Sequence, residues 1–123
     1  MPNMSAAEEL VKAIQARTAS IGICGLGYVG LPLVAAFRRN HFRVWGFDID
    51  EAKVQALLSG ESYIAHIDFD ALKVAAEENL FVPTSDFGQI DQPDVILIAV
   101  PTPLTKTREP DLRAVEGTCE QIA

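Results

Sequence analysis

Polar and apolar positions along the chain change period several times, and each change marks an element. Residues 5–18 repeat at helical spacing, with Leu10, Val11 and Ile14 on one face and Glu8, Glu9, Lys12 and Arg17 mostly elsewhere. Ser5 is placed to cap this helix, which is expected to pack on the domain as an extension. A short apolar run, "ASIGIC" at 19–24, then ends in glycine and reads as a buried strand. "YVGLPLVAAFRRN", 28–40, returns to the helical period. Its Pro32 falls in the first turn, and Asn40 and His41 mark its end.

A second strand follows at 42–48, "FRVWGFD", and Asp50 is set to cap a helix over 51–59 that Gly60 closes. Residues 61–70 read as a loop, with Asp70 starting a short helix, "ALKVAAEEN". "LFVPTS", 80–85, is a third strand. Its Pro83 has no N–H for a ladder, which places the strand at a sheet edge. "DVILIAVP", 94–101, is a nearly unbroken aliphatic run, as in a strand covered on both faces. A polar loop over 102–109 leads to a last helix capped by Asp111, with Leu112, Val115, Cys119 and Ile122 on its inward face.

Strands alternating with helices predict an α/β fold: a Rossmann-type, mostly parallel sheet of about four strands in the order 3-2-1-4, flanked by helices. The expected division is a helical extension over 1–18 and a partial dinucleotide-binding domain over 19–123. The 123 residues suffice for one domain with a modest core.

Charge narrows the function. A net charge of −7 leaves no basic footprint for nucleic acid. The N-terminus lacks the basic start and apolar run of a secretion signal, and no apolar stretch approaches membrane-spanning length. A cytoplasmic protein without membrane partners is expected. Two cysteines do not make a disulfide framework, and no metal-ligand spacing is present. Cys24 and Cys119 are both expected in the core, and His41 and His66 on the surface.

The chemistry concentrates in "IGICGLGYVG", 21–30. Gly25, Gly27 and Gly30 form G-x-G-x-x-G directly between a strand and a helix, with an acidic residue, Asp48, ending the next strand. That context is what a dinucleotide site requires. Gly25 turns the chain out of the strand, Gly27 lets a diphosphate approach the backbone, and Gly30 lets helix and sheet pack closely. The amides near Tyr28, Val29 and Gly30 then face the phosphates at a helix N-terminus. Asp48 is placed to accept the adenosine ribose hydroxyls and to repel a 2′-phosphate, which selects NAD over NADP. Lys53, one turn into the next helix, is a further cofactor candidate. Val100, Pro101 and Thr102 are others, at the carboxyl edge where ligands of open α/β sheets sit.

These residues resemble a known family. "GLGYVGLPLVAAF", "GFDIDEAKV" and "VILIAVPTPLTKTREPDL" look like the N-terminal domain of the nucleotide-sugar dehydrogenases, the family of UDP-glucose and GDP-mannose 6-dehydrogenases. "GESYIAHI" and "TKTREPDL" are closest to the UDP-N-acetylglucosamine 6-dehydrogenase type. The resemblance runs from about Ser20 onward. It implies oxidation of the C6 alcohol of a UDP-sugar to a carboxylate in two NAD-dependent steps, for polysaccharide synthesis. It also implies that Val29, Asp48, Lys53 and Thr102 match NAD-contacting positions, and that the protein forms dimers or larger homo-oligomers. The family's catalytic cysteine lies in a G-F-G-G-x-C segment that this sequence does not contain. The chain is therefore expected to bind the cofactor without catalysing the reaction alone. The alternative is a self-standing, non-catalytic dinucleotide-sensing module.

Overall fold

The computed structural model describes residues 5–101, 106 and 112–123. Strands β1 (Ser20–Cys24), β2 (Arg43–Phe47), β3 (Phe81–Thr84) and β4 (Val95–Ile98) form one parallel sheet in the order β3-β2-β1-β4. This is the expected topology, with Pro83 on an edge strand. Register aligns the carboxyl ends: Cys24 pairs with both Phe47 and Ile98, and Phe47 pairs with Thr84. The segments leaving β1, β2 and β4 therefore emerge at one sheet edge.

Alternation sorts the strand residues onto two faces. Ile21, Ile23, Val44 and Phe81 point toward α2 (Gly30–Arg39), α3 (Glu51–Ser59) and α4 (Phe69–Glu77), where Leu26, Leu31, Val34, Leu57, Phe69 and Leu72 complete the main core. Cys24, Trp45 and Phe47 point to the other face and pack with Ile90 and Phe87. There the Trp45 and Phe47 rings stack at 6.2 Å, and Phe87 tilts against Phe47 at 5.6 Å. Phe87 belongs to a short 3-10 turn, Phe87–Gln89, that the periodicity does not signal.

Helix starts follow the side chains. Ser5 caps α1 (Ala6–Ala16) by accepting from the Glu8 amide, and Asp50 caps α3 by accepting from the Ala52 amide. Gly60 ends α3 in the left-handed conformation, φ +80°.

Several expectations require correction. Asp68, not Asp70, caps α4 by accepting from the Ala71 amide. Both residues suit a cap, but only Asp68 leaves Phe69 and Leu72 facing the core. β4 stops at Ile98, and its residues are half-buried or exposed instead of covered on both faces. It is an edge strand, paired among the described residues with β1 alone. In α1 no residue is buried; Val11 and Ile14 are exposed, and the helix is tied down at its end, where Arg17 donates to the Asn40 carbonyl at 2.7 Å. In α5 (Arg113–Ile122) Thr118 is buried, while Leu112, Cys119 and Ile122 are exposed. An amphipathic period shows that one side of a helix is apolar; it does not show that a neighbour covers it. Asp111 lies outside the described residues.

Cys24 is in the core as expected. Burial, with a smaller contribution from Cys119, pushes its thiol from 9.0 up to about 11. The folded state thus holds the proton more tightly than the unfolded chain. That contribution to stability is present below pH 9 and is lost as the pH rises through about 11. At pH 8 a thiol reagent such as Ellman's should count Cys119 alone in the native chain, and both cysteines in denaturant.

Candidate cofactor site

The site begins where β1 ends. Gly25 has φ +99°, its amide donates to the Phe47 carbonyl at 2.7 Å, and a Cβ on it would lie 2.6 Å from the Ala99 oxygen. The chain therefore leaves β1 through a gap that admits only glycine. Five residues later α2 starts, seated directly on that exit. A Cβ on Gly30 would lie 1.6 Å from the Gly25 oxygen.

Gly27 differs in kind. No atom of the described residues lies within 4 Å of where its Cβ would be, and its φ is outside the left-handed region. Nothing in the fold requires glycine there; the open space above it is what the missing side chain leaves. Among the described residues, the amides of Gly27, Tyr28, Val29 and Gly30 meet no protein acceptor. No side chain caps α2, its first turn carries no acidic residue, and Arg38 and Arg39 stand at its far end. The result is a cluster of free N–H groups at the positive end of a helix dipole, a ready receptor for a phosphate.

Asp48 follows β2 and is buried, 8% exposed. Its Oδ2 accepts from the Leu26 amide and its Oδ1 from the Asp50 amide, both at 2.9 Å. Lys53 Nζ stands 3.8 Å from Oδ2. The carboxylate thus faces the glycine turn, is held by two backbone donors, and keeps lone pairs for a hydroxyl. Asp50, one residue beyond Ile49, serves as the α3 cap.

A cavity of about 400 Å³ opens beside the turn, lined by Gly27, Tyr28, Asp50, Lys53, Tyr63 and Ile64 among others. Tyr63 is absent from the residues selected by motif. Its hydroxyl donates to the Leu26 carbonyl at 2.6 Å, and its ring meets Phe69 edge-on at 5.0 Å. Burial, then the nearby charges of Asp48 and Asp50, raise its pKa, so it stays a donor. In the first turn of α3, outside the cavity lining, the Ser85 hydroxyl and the Gln55 amide both donate to the Glu51 carboxylate and hold it below its ordinary pKa.

The structure therefore brings Gly25, Gly27, Tyr28, Val29, Gly30, Asp48 and Lys53 to one edge. Tyr28 and Val29 are exposed, at 83% and 65%. Val100 also belongs there, since its nitrogen lies 3.0 Å from a Cβ placed on Gly25. Pro101 is exposed just beyond, and Thr102 lies outside the described residues. His41 and His66 are exposed, as expected. No group of residues suited to a metal ion occurs among the described residues, and no described helix is long and apolar enough to cross a membrane.

Comparison with known proteins identifies the family. Residues 19–123 match the NAD binding domain of the UDP-glucose/GDP-mannose dehydrogenase family. The UDP-N-acetyl-D-mannosamine dehydrogenase of Escherichia coli (strain K12) is 38% identical over 105 residues, which are 85% of this chain and 24% of that protein. An NDP-N-acetyl-D-galactosaminuronic acid dehydrogenase of Ralstonia nicotianae is 32% identical over 112 residues, 91% of this chain and 26% of its own length. Among solved structures, a ternary complex of GDP-mannose dehydrogenase from Pseudomonas aeruginosa superposes with a TM-score of 0.75 at 31% identity, covering 83% of this chain and 24% of that one. The chain thus spans about a quarter of the length of the relatives it matches. It belongs to the UDP-glucose/GDP-mannose dehydrogenase family, as that family's NAD-binding domain, and its cofactor is NAD.

Proposed function

We propose that this chain holds NAD for the oxidation of a UDP-sugar at C6 to the carboxylate, with a UDP-N-acetylhexosamine as the sugar class. The observation that carries the cofactor placement is the pairing, at one sheet edge, of four amides without an acceptor among the described residues and a buried carboxylate that holds the Leu26 amide beside them. The amides of Gly27 to Gly30 take the diphosphate, and the α2 dipole supplies the field that an acidic chain otherwise lacks. Asp48 accepts from the adenosine ribose, with Lys53 beside it as a donor to the same sugar. Val100, Pro101 and Thr102 border the cofactor on the β4 side. NAD, when bound, accepts hydride from the C6 carbon.

The substrate class is supported by the N-acetylated sugars in the names of the E. coli and Ralstonia relatives, and by the "GESYIAHI" segment. Of the two described thiols, Cys24 is buried and protonated and Cys119 is exposed on α5. Neither stands at the glycine turn as a nucleophile, so this chain binds the cofactor and does not itself oxidise the sugar.

Calorimetric titration tests the placement. NAD should bind, NADP should bind more weakly, and Asp48→Ala should lower NAD affinity about 10- to 150-fold, the worth of a hydrogen bond to a charged acceptor. Equal affinity for NAD and NADP, or an indifferent Asp48→Ala, would remove Asp48 from the site.

The glycines supply a second, sharper test. Gly30→Ala forces a carbon into a carbonyl oxygen and should destabilise the fold by about 4 kcal/mol or more, among the largest single-residue effects. Gly27→Ala should leave the urea midpoint nearly unchanged, within about 0.5 kcal/mol, yet abolish measurable NAD binding. A Gly27→Ala chain that binds NAD normally would show that the diphosphate does not approach there.

A further inference from the structure

Tyr63 sits in the loop between α3 and α4, 37 residues from the carbonyl it holds. Its hydroxyl donates to the Leu26 carbonyl at 2.6 Å, while Asp48 Oδ2 accepts from the Leu26 amide at 2.9 Å. Two consecutive peptide planes are thereby gripped from outside the turn. The Gly25–Leu26 unit is held through its N–H, and the Leu26–Gly27 unit through its C=O. Within a planar trans peptide the C=O and N–H point in opposite directions. Fixing the Leu26 carbonyl toward Tyr63 therefore aims the Gly27 N–H away from it, where it meets no protein acceptor among the described residues. The Leu26 side chain is fully buried, which removes the remaining freedom of this residue.

We propose that Tyr63 is a positioning residue for the dinucleotide: by holding the Leu26 carbonyl it presets the Gly27 amide toward the diphosphate. This rests on the reading that the glycine turn holds NAD. The edge contact with Phe69 keeps the ring in place, and Phe69 is itself in the main core. Burial and the charges of Asp48 and Asp50 keep the hydroxyl proton on. The turn is therefore organised before any ligand arrives, which lowers the ordering cost of binding. A free turn would have to select one peptide orientation from several.

The test compares the 123-residue chain with its Tyr63→Phe variant, which keeps the ring and loses only the hydroxyl. NAD and ADP-ribose, which both carry a diphosphate, should bind about 2- to 12-fold more weakly, the worth of one neutral hydrogen bond. Adenosine, followed by NMR titration, should bind as before. A generally loosened structure would weaken all three alike, and that outcome would overturn the proposal. So would unchanged NAD affinity in Tyr63→Phe against a wild-type chain that binds. A wild-type chain without NAD affinity would instead overturn the cofactor placement, and this proposal with it. Two further measurements separate positioning from stability. The Gly27 amide resonance of the ligand-free chain should move in Tyr63→Phe; a resonance that stays put overturns the proposal. Phe42→Leu, which thins the core where Phe42 meets Phe37 and leaves both Tyr63 and Phe69 in place, should lower the melting temperature and leave the preference for diphosphate ligands intact; loss of that preference would reassign the effect to packing.

Discussion

The crossing of α2 over the end of β1, at Gly30, leaves less room for a side chain than any other described glycine position, and the site is its by-product. With Gly30 lying against the Gly25 carbonyl, the first turn of α2 is set directly above the strand exit. A side chain at Gly30 lifts the helix away, and one at Gly25 drives the turn into the Ala99 carbonyl. Because the helix sits so low, its unpaired amides open onto the carboxyl edge of the sheet, beside the segments that follow β2 and β4. Asp48 and Val100 are neighbours of the turn. Register does the rest, since Cys24, Phe47 and Ile98 end level with one another.

The side chains around the turn mostly serve the backbone. Asp48 accepts two amide protons, Tyr63 donates to a carbonyl, and Asp50 starts α3. The groups offered outward are amides. This division has a physical logic. An amide held by the chain on both sides has little freedom to lose on binding, whereas a lysine or arginine would give up rotamer entropy each time. It also lets a chain of net charge −7 receive an anion. The field that matters acts over the few ångströms between the helix end and the ligand, while the acidic surface is screened by salt beyond about 10 Å.

Much of this was legible in the residues. The glycine spacing, Asp48 at the end of its strand, Pro83 at an edge and the caps at Ser5 and Asp50 each encode a local requirement, and local requirements survive folding. Tyr63 was not legible, because its partner is a backbone carbonyl 37 residues away and no spacing rule connects a loop tyrosine to a turn. Gly25, Gly27 and Gly30 receive different jobs from their spacing, and their surroundings differ accordingly: a Cβ on Gly25 or Gly30 would strike backbone, while one on Gly27 would meet nothing among the described residues. Cys119 failed for a related reason. Its helical period placed it with Leu112 and Ile122, and all three share an apolar stripe that no described neighbour covers.

The two sheet faces extend the same point to stability. The face under α2, α3 and α4 is packed by side chains from every strand, Ile21 and Ile23, Val44, Phe81, and Val95 with Leu97. The other relies on a small aromatic cluster, and there Trp45 is buried with its indole N–H unpaired among the described residues while the Arg43 guanidinium lies 5.1 Å over its ring. An unpaired buried donor costs about 1–3 kcal/mol, which the stacking with Phe47 and the cation over the indole, together about 1–2.5 kcal/mol, largely offset. The cofactor turn draws on both faces, since Ile23 and Leu26 lie in the first cluster and Cys24 and Phe47 in the second. Its rigidity therefore rests on the better-packed face, through Leu26 and the Phe69-backed ring of Tyr63. The aromatic face contributes the Phe47 carbonyl that receives the Gly25 amide. Loosening of the aromatic face should reach the turn through that one hydrogen bond, while loosening of the main core reaches it through the whole Leu26 clamp.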